Sequence, residues 1–222
     1  MNSIKSIIFA GYRSWAVEIF NRLQKKHPHI NWHLAENQEK LKDMFLIEDV
    51  EVVVLAGWSW ILNEEHVNSK MVIGLHPSDL PDYAGGSPIQ NQILDGLIDS
   101  RMTLFKLNAE IDTGDLIYKE PMSLAGSMQE VFQEMTRSGM CVLERFILNY
   151  PDIKLTKQAG VGKKCRRLKP SMSKISRDLV QSMTNLELYN FIRCRQDPYP
   201  NVFLEDETGK LFFKDVKFEA KT

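Results

Sequence analysis

The sequence has 222 residues, enough to bury the core of one substantial domain and a smaller appendage. It carries 28 basic and 29 acidic side chains, a net charge of -1 at pH 7, which excludes the strongly basic balance typical of proteins dedicated to nucleic acid. No run approaches the roughly 20 apolar residues of a membrane span, so we expect no membrane partner.

The three cysteines, Cys141, Cys165 and Cys194, are widely spaced and include no CxxC pair. An odd number without pairing argues against a disulfide framework and against a zinc site, so we expect no metal. The N-terminal residues also lack the long apolar core of a signal peptide. Together these features predict a protein of the reducing cytoplasm.

The first half of the chain predicts alternating strands and helices. Residues 4–11 are an apolar run that ends in glycine, and we expect Ser14 to cap the helix that follows. Residues 50–57 are rich in β-branched side chains, as in a strand buried on both faces of a sheet. A shorter apolar run, residues 71–76, predicts another strand.

The pattern continues after residue 76. Ser87 and Pro88 are expected to open a helix that frays near Gly96, because serine caps helices and proline suits their first turn. Strands are predicted at 101–108 and 115–119. A capping box, Ser127 with Glu130, starts a long helix toward Asn149.

This alternation predicts an α/β fold: a Rossmann-like, mostly parallel sheet with flanking helices. From residue 154 onward the amino-acid composition changes, and residues 154–177 hold nine basic side chains and no acidic one. We therefore expect a catalytic domain of residues 1–153 and a small C-terminal helix and β-hairpin module of residues 154–222.

The C-terminal module has its own start and turn signals. Thr184 with Glu187 forms a second capping box before a short helix. Two short strands flank residues 206–209, which suit a hairpin turn. The free edge of this hairpin is a candidate contact for a homodimer.

Two polar loops carry the candidate chemistry. His76 stands where the strand 71–76 ends, and Asp112 and Asp115 follow the strand 101–108. Ligands of α/β sheets bind outside the carboxyl ends of strands, so we expect both loops at one crevice. Histidine titrates near neutrality and suits proton transfer, although a lone histidine often serves structure alone. Aspartate and glycine in such a loop often only make a turn.

The run HPSDLPDYAGGSPIQNQILDG, which begins at residue 76, and IDTGD at 111–115 closely resemble the folate-dependent formyltransferase family. That family has the pattern Asn-x-His-x-Ser-x-Leu-Pro, then a glycine, a proline that opens a helix, and Asp-x-Gly. The residues that match are His76, Ser78, Leu80, Pro81, Gly85, Pro88, Asp112 and Gly114. The resemblance extends to FAGYRSWA at residues 9–16 and covers essentially the whole chain.

The resemblance implies an enzyme that moves a formyl group from N10-formyltetrahydrofolate to a primary amine. An amine attacks a formamide-like carbon and loses a proton. His76 would stabilise the charged oxygen or relay protons, and Asp112 would orient the imidazole and help to remove the amine proton.

Two sets of binding residues follow from the same resemblance. The folate side is expected to comprise Trp58, Trp60, Ile61, Leu62, Asp112, Thr113, Gly114 and Asp115. The acceptor side is expected to comprise Gly11, Arg13, Ser14, Ser78, Tyr83 and Gly85. Ordinary core packing remains the alternative for the two tryptophans.

One position departs from the family pattern. The family has asparagine two residues before the histidine, where this chain has Gly74. Loss of such a hydrogen-bond donor to the reacting oxygen typically costs about 10²- to 10³-fold in rate. A backbone N–H, His76 or another side chain could substitute, and we expect Gly74→Asn to be tolerated.

Two runs in the C-terminal module indicate which amine receives the formyl group. CRRLKPS at 165–171 and FIRCRQDPYP at 191–200 resemble bacterial sugar N-formyltransferases. This implies formylation of a nucleotide-linked (dTDP-, UDP- or GDP-) amino-deoxysugar for surface glycans such as the lipopolysaccharide O-antigen. Arg13, at a helix N-terminus, is a candidate for the pyrophosphate.

Two other functions stay open. The first is formylation of methionyl-tRNA, for which residues 154–177 offer basic groups, although the net charge and the short tail argue against a nucleic acid partner. The second is a non-catalytic protein that binds folate or a nucleotide sugar, suggested by Gly74.

Overall fold

A computed structural model describes residues 4–221 of the chain. Its strands are β1 (Ser6–Ala10), β2 (Asn31–Ala35), β3 (Val52–Ala56), β4 (Met71–His76), β5 (Ala84–Gly85), β6 (Asp99–Lys106), β7 (Leu116–Ser123), β8 (Lys164–Cys165), β9 (Val202–Asp206) and β10 (Gly209–Phe213). Its helices are α1 (Ser14–Lys26), α2 (Gln38–Met44), α3 (Glu64–Ser69), α4 (Pro88–Leu94), α5 (Met128–Asn149), α6 (Arg177–Ser182) and α7 (Asn185–Arg193), with a 3₁₀ turn at Pro170–Ser173.

A six-stranded sheet forms the centre of the fold, in the order β2-β1-β3-β4-β6-β7. The first four strands run parallel, and β6 and β7 are antiparallel to their neighbours. Every residue of β1 and of β3 is buried, because both strands are continuous apolar runs covered on both faces. The mostly parallel α/β fold that the sequence predicts is confirmed.

Helices cover the sheet on its two faces. On one face, α1 and α5 pack against each other and against alternate residues of the strands, such as Phe9 and Val54. On the other face, Leu41 of α2 joins Ile8, Val53 and their neighbours in a second cluster. Side chains alternate between the faces because the period of a strand is two residues.

The helix starts match the sequence only in part. The capping boxes Ser127–Glu130 and Thr184–Glu187 are both present, as predicted. Ser14, however, is the first helical residue and not the cap; the cap position is taken by Arg13. This correction moves the end of the loop by one residue.

Ser87 was also expected to cap a helix through its side chain. It occupies the cap position of α4, but its backbone is left-handed (φ 57°) and its side chain makes no capping bond. Its hydroxyl instead accepts a hydrogen bond from the backbone N–H of Leu168, at 3.1 Å. The serine therefore joins α4 to the later part of the chain.

The direction of β6 corrects one step of the sequence argument. Because β6 is antiparallel to β4, its last residue, Lys106, pairs with Ile73 and not with a residue at the carboxyl end of β4. Residues 107–115 must therefore fold back across the sheet to bring Asp112 beside His76. The two loops do meet, although not because both strands end at one edge.

The predicted C-terminal helix and hairpin are present, as α7 and as β9 with β10. Their small core contains Ile175, Phe191, Ile192 and Val202, and Leu94 of α4 packs against it. The segment before them crosses the α/β layer, where β8 pairs with β5. The division at residue 153 stays a prediction.

None of the helices described between residues 4 and 221 is long and apolar enough to span a bilayer.

Candidate active site

His76 is the last residue of β4, and its side chain is held by two protein groups. The side chain is 8% exposed. Its Nε2 lies 2.8 Å from the carbonyl oxygen of Tyr83, and its Nδ1 lies 3.5 Å from Oδ2 of Asp112. The sequence prediction that these two candidate catalytic side chains meet is thus matched by their geometry.

Asp112 is fixed from several sides. Its backbone is left-handed, with φ 55°, an uncommon conformation for a residue other than glycine. Its Oδ2 accepts a hydrogen bond from the backbone N–H of Gly85 at 2.8 Å. The carboxylate is 18% exposed, so it remains within reach of a ligand.

The hydrogen bonds define where a proton lies. A carbonyl oxygen only accepts, so Nε2 of His76 carries a hydrogen and donates to Tyr83. Nδ1 then faces Oδ2 of Asp112 at 3.5 Å, a separation longer than an ordinary N–H···O hydrogen bond. The geometry therefore places an imidazole nitrogen beside a carboxylate oxygen, two groups that suit proton transfer to and from a ligand.

A cleft with a volume of about 630 Å³ contains this pair. Its wall includes His76, Asp112 and four residues of the predicted folate side, namely Trp58, Trp60, Ile61 and Leu62. Arg13 and Gly85, from the predicted acceptor side, also line it. A volume of this size is ordinary for a small-molecule site.

Aromatic side chains build one side of the cleft. The rings of Trp58 and Trp60 lie 4.7 Å apart, and the ring of Tyr12 lies 5.1 Å from that of Trp60. The Tyr12 hydroxyl and the Ser59 hydroxyl are hydrogen-bonded at 2.6 Å, which ties the two loops together. The indole N–H of Trp58 is buried and has no partner among residues 4–221.

Three predicted folate residues lie outside the cleft wall. Thr113 is exposed and its hydroxyl is hydrogen-bonded to the Asn108 side chain at 3.0 Å. Gly114 is buried, and a Cβ there would lie 1.7 Å from the carbonyl oxygen of Lys106. The carbonyl of Asp115 accepts the backbone N–H of Lys106 at 2.8 Å. These residues shape the loop and do not form the wall.

Four predicted acceptor residues are also outside the wall. Gly11 is buried, since its backbone passes close to Ala56, and Ser14 is exposed on α1. Ser78 is fully buried, and its hydroxyl donates to the carbonyl of Asp82 at 2.6 Å. It therefore holds the loop in place and is out of reach of a substrate in the cleft.

The phenol of Tyr83, the fourth of these residues, also points away from the cleft. It donates to Oδ2 of Asp95 at 2.7 Å. Burial, together with this hydrogen bond, raises the pKa of Tyr83 above its ordinary value of 10, so the phenol remains a donor. Its backbone carbonyl, in contrast, binds His76 directly.

The wall also contains polar residues that the sequence did not predict for the site, among them Gln90, Arg167 and Tyr199. Arg167 and Tyr199 belong to tail runs whose resemblance to sugar N-formyltransferases was noted, but nothing local signalled that they return to the cleft. Burial raises the pKa of Tyr199, which lies within the field of Arg13. Gln90 lies on α4, and nothing in the sequence of this helix distinguishes it from an ordinary helical residue.

Gly74 lies directly across the sheet from Phe105. A Cβ at position 74 would lie 2.8 Å from the Phe105 ring and 2.9 Å from a methyl of Leu107. The space for a side chain is therefore taken by apolar atoms of β6 and the residue after it. Against the expectation from the sequence, an asparagine here has to displace the Phe105 ring and the Leu107 methyl.

We expect Gly74→Asn to lower the free energy of unfolding by about 1–3 kcal/mol, because overpacking forces neighbours off their rotamers. Chemical denaturation against the parent protein measures this. Gly160→Asn, at a site with nothing within 4 Å of the added Cβ, is an exposed comparison, although its positive φ carries a small cost of its own. Equal stability of Gly74→Asn and the parent would contradict the packing argument.

Among the residues described from 4 to 221, no group of three histidine, cysteine, aspartate or glutamate side chains is arranged to hold a metal ion.

The comparisons with known proteins agree with this geometry. A family model described as formyl transferase matches residues 11–138, which is more than half of the chain. The methionyl-tRNA formyltransferase of Rickettsia typhi is 26% identical over 118 residues, which cover 51% of this chain and 39% of that relative. The corresponding enzyme of Campylobacter hominis is 28% identical over 77% of this chain and 56% of its own length. The chain thus spans about half the length of these curated relatives.

Solved structures show the same fold. Methionyl-tRNA formyltransferase from Clostridium thermocellum superposes with a TM-score of 0.85 at 26% identity, over 97% of this chain and 94% of that one. A sugar N-formyltransferase from a Shewanella species gives 0.77 at 15% identity, over 98% and 100%. HypX from Aquifex aeolicus, in complex with tetrahydrofolic acid, gives 0.74 at 15% identity, over 91% and 36%. With its matching family model, its fold and its His76–Asp112 cleft, the chain belongs to the folate-dependent formyl transferase family.

Proposed function

We propose that this protein transfers a formyl group from N10-formyltetrahydrofolate to a primary amine, with His76 and Asp112 as the catalytic pair. The observation that carries the proposal is the contact between Nδ1 of His76 and Oδ2 of Asp112, 3.5 Å apart in the wall of a cleft of about 630 Å³. Family membership supports the reaction type.

The new C–N bond to the amine forms and the C–N10 bond of the donor breaks, so one proton leaves the amine and one must reach N10. Asp112 accepts the proton that the attacking amine loses, and its neutral carboxyl then returns a proton to N10 of the departing tetrahydrofolate. The N–H of His76 on its Nδ1 side donates to the oxygen on which negative charge develops, a role worth about 10²- to 10⁴-fold in rate. Gly74 and Phe105 make the neighbouring wall apolar and supply no side-chain donor, so His76 is the side chain that donates the hydrogen bond to this oxygen.

The aromatic side of the cleft suits a pterin. Trp58, Trp60 and Leu62 offer apolar surfaces in the cleft wall, and the two indole rings are flat faces on which a planar ring can stack. The exposed side chains of Ile61 (75%) and Ile111 (60%) stand at the mouth of the cleft and would be covered by a bound ligand. The HypX complex with tetrahydrofolic acid supports a folate on this fold.

We further propose that the acceptor is an amino-deoxysugar linked to a nucleotide diphosphate. Arg13 and Arg167 line the cleft, and neither forms an ion pair with a described carboxylate. Guanidinium groups are suited to bidentate binding of phosphate. Arg167 packs on Gly86, next to the Gly85 that binds Asp112, so this arginine belongs to the same part of the cleft as the catalytic pair.

The test is incubation of the protein with N10-formyltetrahydrofolate and a panel of dTDP-, UDP- and GDP-linked aminosugars, read by mass spectrometry. We expect the mass of one formyl group to be added to at least one member, and the gain to be at least about 100-fold slower with His76→Ala. Saturable binding of a member without any turnover would instead favour the non-catalytic binding function.

Arg167→Ala is expected to raise KM for the formylated aminosugar nucleotide about 10- to 100-fold, since one charge-assisted bidentate contact contributes about 1.5–3 kcal/mol. KM for the formyl donor should stay unchanged. Steady-state kinetics measure both constants.

The matched control for this prediction is Arg166→Ala, because Arg166 is adjacent and exposed but does not line the cleft. Equal rises in KM for the two variants would mean that general charge, and not a phosphate contact in the cleft, explains the effect.

A second candidate acceptor is methionyl-tRNA. The curated relatives and the structure from Clostridium thermocellum favour it, because all of them are methionyl-tRNA formyltransferases. Of the nine basic residues in 154–177, only Lys163, Lys174 and Arg177 form ion pairs within the described chain. Formylation of initiator methionyl-tRNA, with binding that weakens steeply as salt rises, would establish this acceptor over the sugar.

A further inference from the structure

A side chain from the segment after residue 153 is bonded to the backbone of the candidate catalytic loop. The amide nitrogen of Gln158 donates to the carbonyl oxygen of Asp112 and to that of Gly114, both at 2.8 Å. One side-chain amide has two hydrogens, so this nitrogen satisfies both carbonyls at once. The two bonds bracket Thr113 and fix the loop on either side of it.

The loop needs such support because its conformation is unfavourable and largely exposed. Asp112 is left-handed without being glycine, and it is flanked by the exposed residues Ile111 and Thr113. Gly114 is pressed against the Lys106 carbonyl, where a Cβ would lie at 1.7 Å. Backbone of this kind persists only when the surrounding structure holds it in place.

The same segment also reaches the Asp112 carboxylate indirectly. Its strand β8 pairs with β5, and the backbone N–H of Gly85 in β5 donates to Oδ2 of Asp112. The segment is anchored before Gln158, where Thr156 and Leu116 exchange two backbone hydrogen bonds of 2.7 and 2.9 Å. Gln158 is therefore held between two fixed points of the chain.

We propose that Gln158 is a positioning residue for the transfer: it sets the backbone of Asp112 so that the carboxylate meets both His76 and the incoming amine. The inference rests on the role proposed above for Asp112. It also assigns part of the C-terminal segment to the active site, so that the catalytic unit extends past residue 153.

Gln158→Met removes both donors and keeps the length of the side chain. We expect kcat to fall about 10- to 100-fold, because a small displacement of a catalytic group has an effect of this size. KM for the formyl donor and for the formylated aminosugar nucleotide should stay close to the parental values. Gln158→Asn, which keeps the amide but is one methylene shorter, should fall between the parent and Gln158→Met.

The control is Gln24→Met, since Gln24 is exposed on α1 and has no part in the cleft; it should leave kcat unchanged. If Gln158 acts by positioning Asp112, the loss of kcat in Gln158→Met must also depend on the Asp112 carboxylate. In an Asp112→Asn background, Gln158→Met should cost much less than in the parent, because the carboxylate that it positions is gone. The same fold-loss in both backgrounds would overturn the proposal.

A measurement without turnover separates this inference from the proposed function. Hydrogen exchange of the backbone amides of residues 107–115 should be faster in Gln158→Met than in the parent, while the strands of the central sheet exchange as before. Unchanged exchange in this loop would overturn the inference whatever the substrate. If no aminosugar nucleotide is formylated but the loop does exchange faster, the acceptor is wrong and the structural role of Gln158 stands.

Discussion

His76→Ala is expected to lower kcat by about 10²- to 10⁴-fold, the usual contribution of a general acid or base. The alanine removes both the donor to the reacting oxygen and the partner of Asp112, whose Oδ2 lies 3.5 Å from Nδ1. It also leaves the Tyr83 carbonyl without its 2.8 Å hydrogen bond, which is expected to cost about 1 kcal/mol of stability. Steady-state kinetics and a thermal unfolding curve measure the two effects separately.

The control for this substitution is His29→Ala, because His29 is exposed and lies outside the cleft. It should leave kcat at the parental value. A His76→Ala protein that turns over as fast as the control would show that the imidazole takes no part in the reaction.

Asp112→Asn is expected to cause a comparable loss in kcat, about 10²- to 10⁴-fold. The amide oxygen can still accept the backbone N–H of Gly85, so the loop should keep its position. What disappears is the negative charge and the ability to take a proton from the amine. Binding of the formyl donor, measured by calorimetry, should change little.

Asp49→Asn is the matched control, since Asp49 is exposed and not part of the cleft. A second check is the assay pH: a neutral amine must still lose a proton when it attacks, so the fold-loss should persist across the pH range in which the free amine titrates. A loss that disappears once the amine is fully deprotonated would contradict the role of Asp112 as acceptor of the proton released on attack.

Much of the site could be predicted from the sequence because the chemistry lies in two short motifs. His76 ends a strand with a clear apolar run, and Asp112 lies in a loop rich in aspartate and glycine. The capping boxes Ser127–Glu130 and Thr184–Glu187 were equally local signals, and both are present. Each of these motifs lies within a few consecutive residues, which is why it could be recognised, although the equally local cap signals of Ser14 and Ser87 were misleading.

Features that depend on strand direction were not predictable in the same way. An apolar strand pattern is the same for a parallel and an antiparallel strand, so the reversal of β6 leaves no local signal. The edge strand β2 was missed for a related reason: it is short, and only two of its five residues, Trp32 and Ala35, are buried. Such a segment has too few apolar positions to establish a period.

The packing around Gly74 shows the limit most clearly. Phe105 is 31 positions away in sequence, and only the β4–β6 register places its ring over the glycine. The sequence shows that the family's asparagine is absent, but it does not show that the Phe105 ring and a Leu107 methyl occupy the space next to Gly74. Arg167 and Tyr199 likewise reach the cleft through contacts between distant parts of the chain.

The central claim is that His76 and Asp112 act as one unit in formyl transfer. The measurement that tests it most directly is a double-mutant cycle of the single-turnover rate constant for transfer from N10-formyltetrahydrofolate, with His76→Ala, Asp112→Asn and the combined variant. We expect the combined variant to be hardly slower than the slower single variant, because residues that act as a unit are far from additive. Fold-losses that multiply would show two independent roles and contradict the claim.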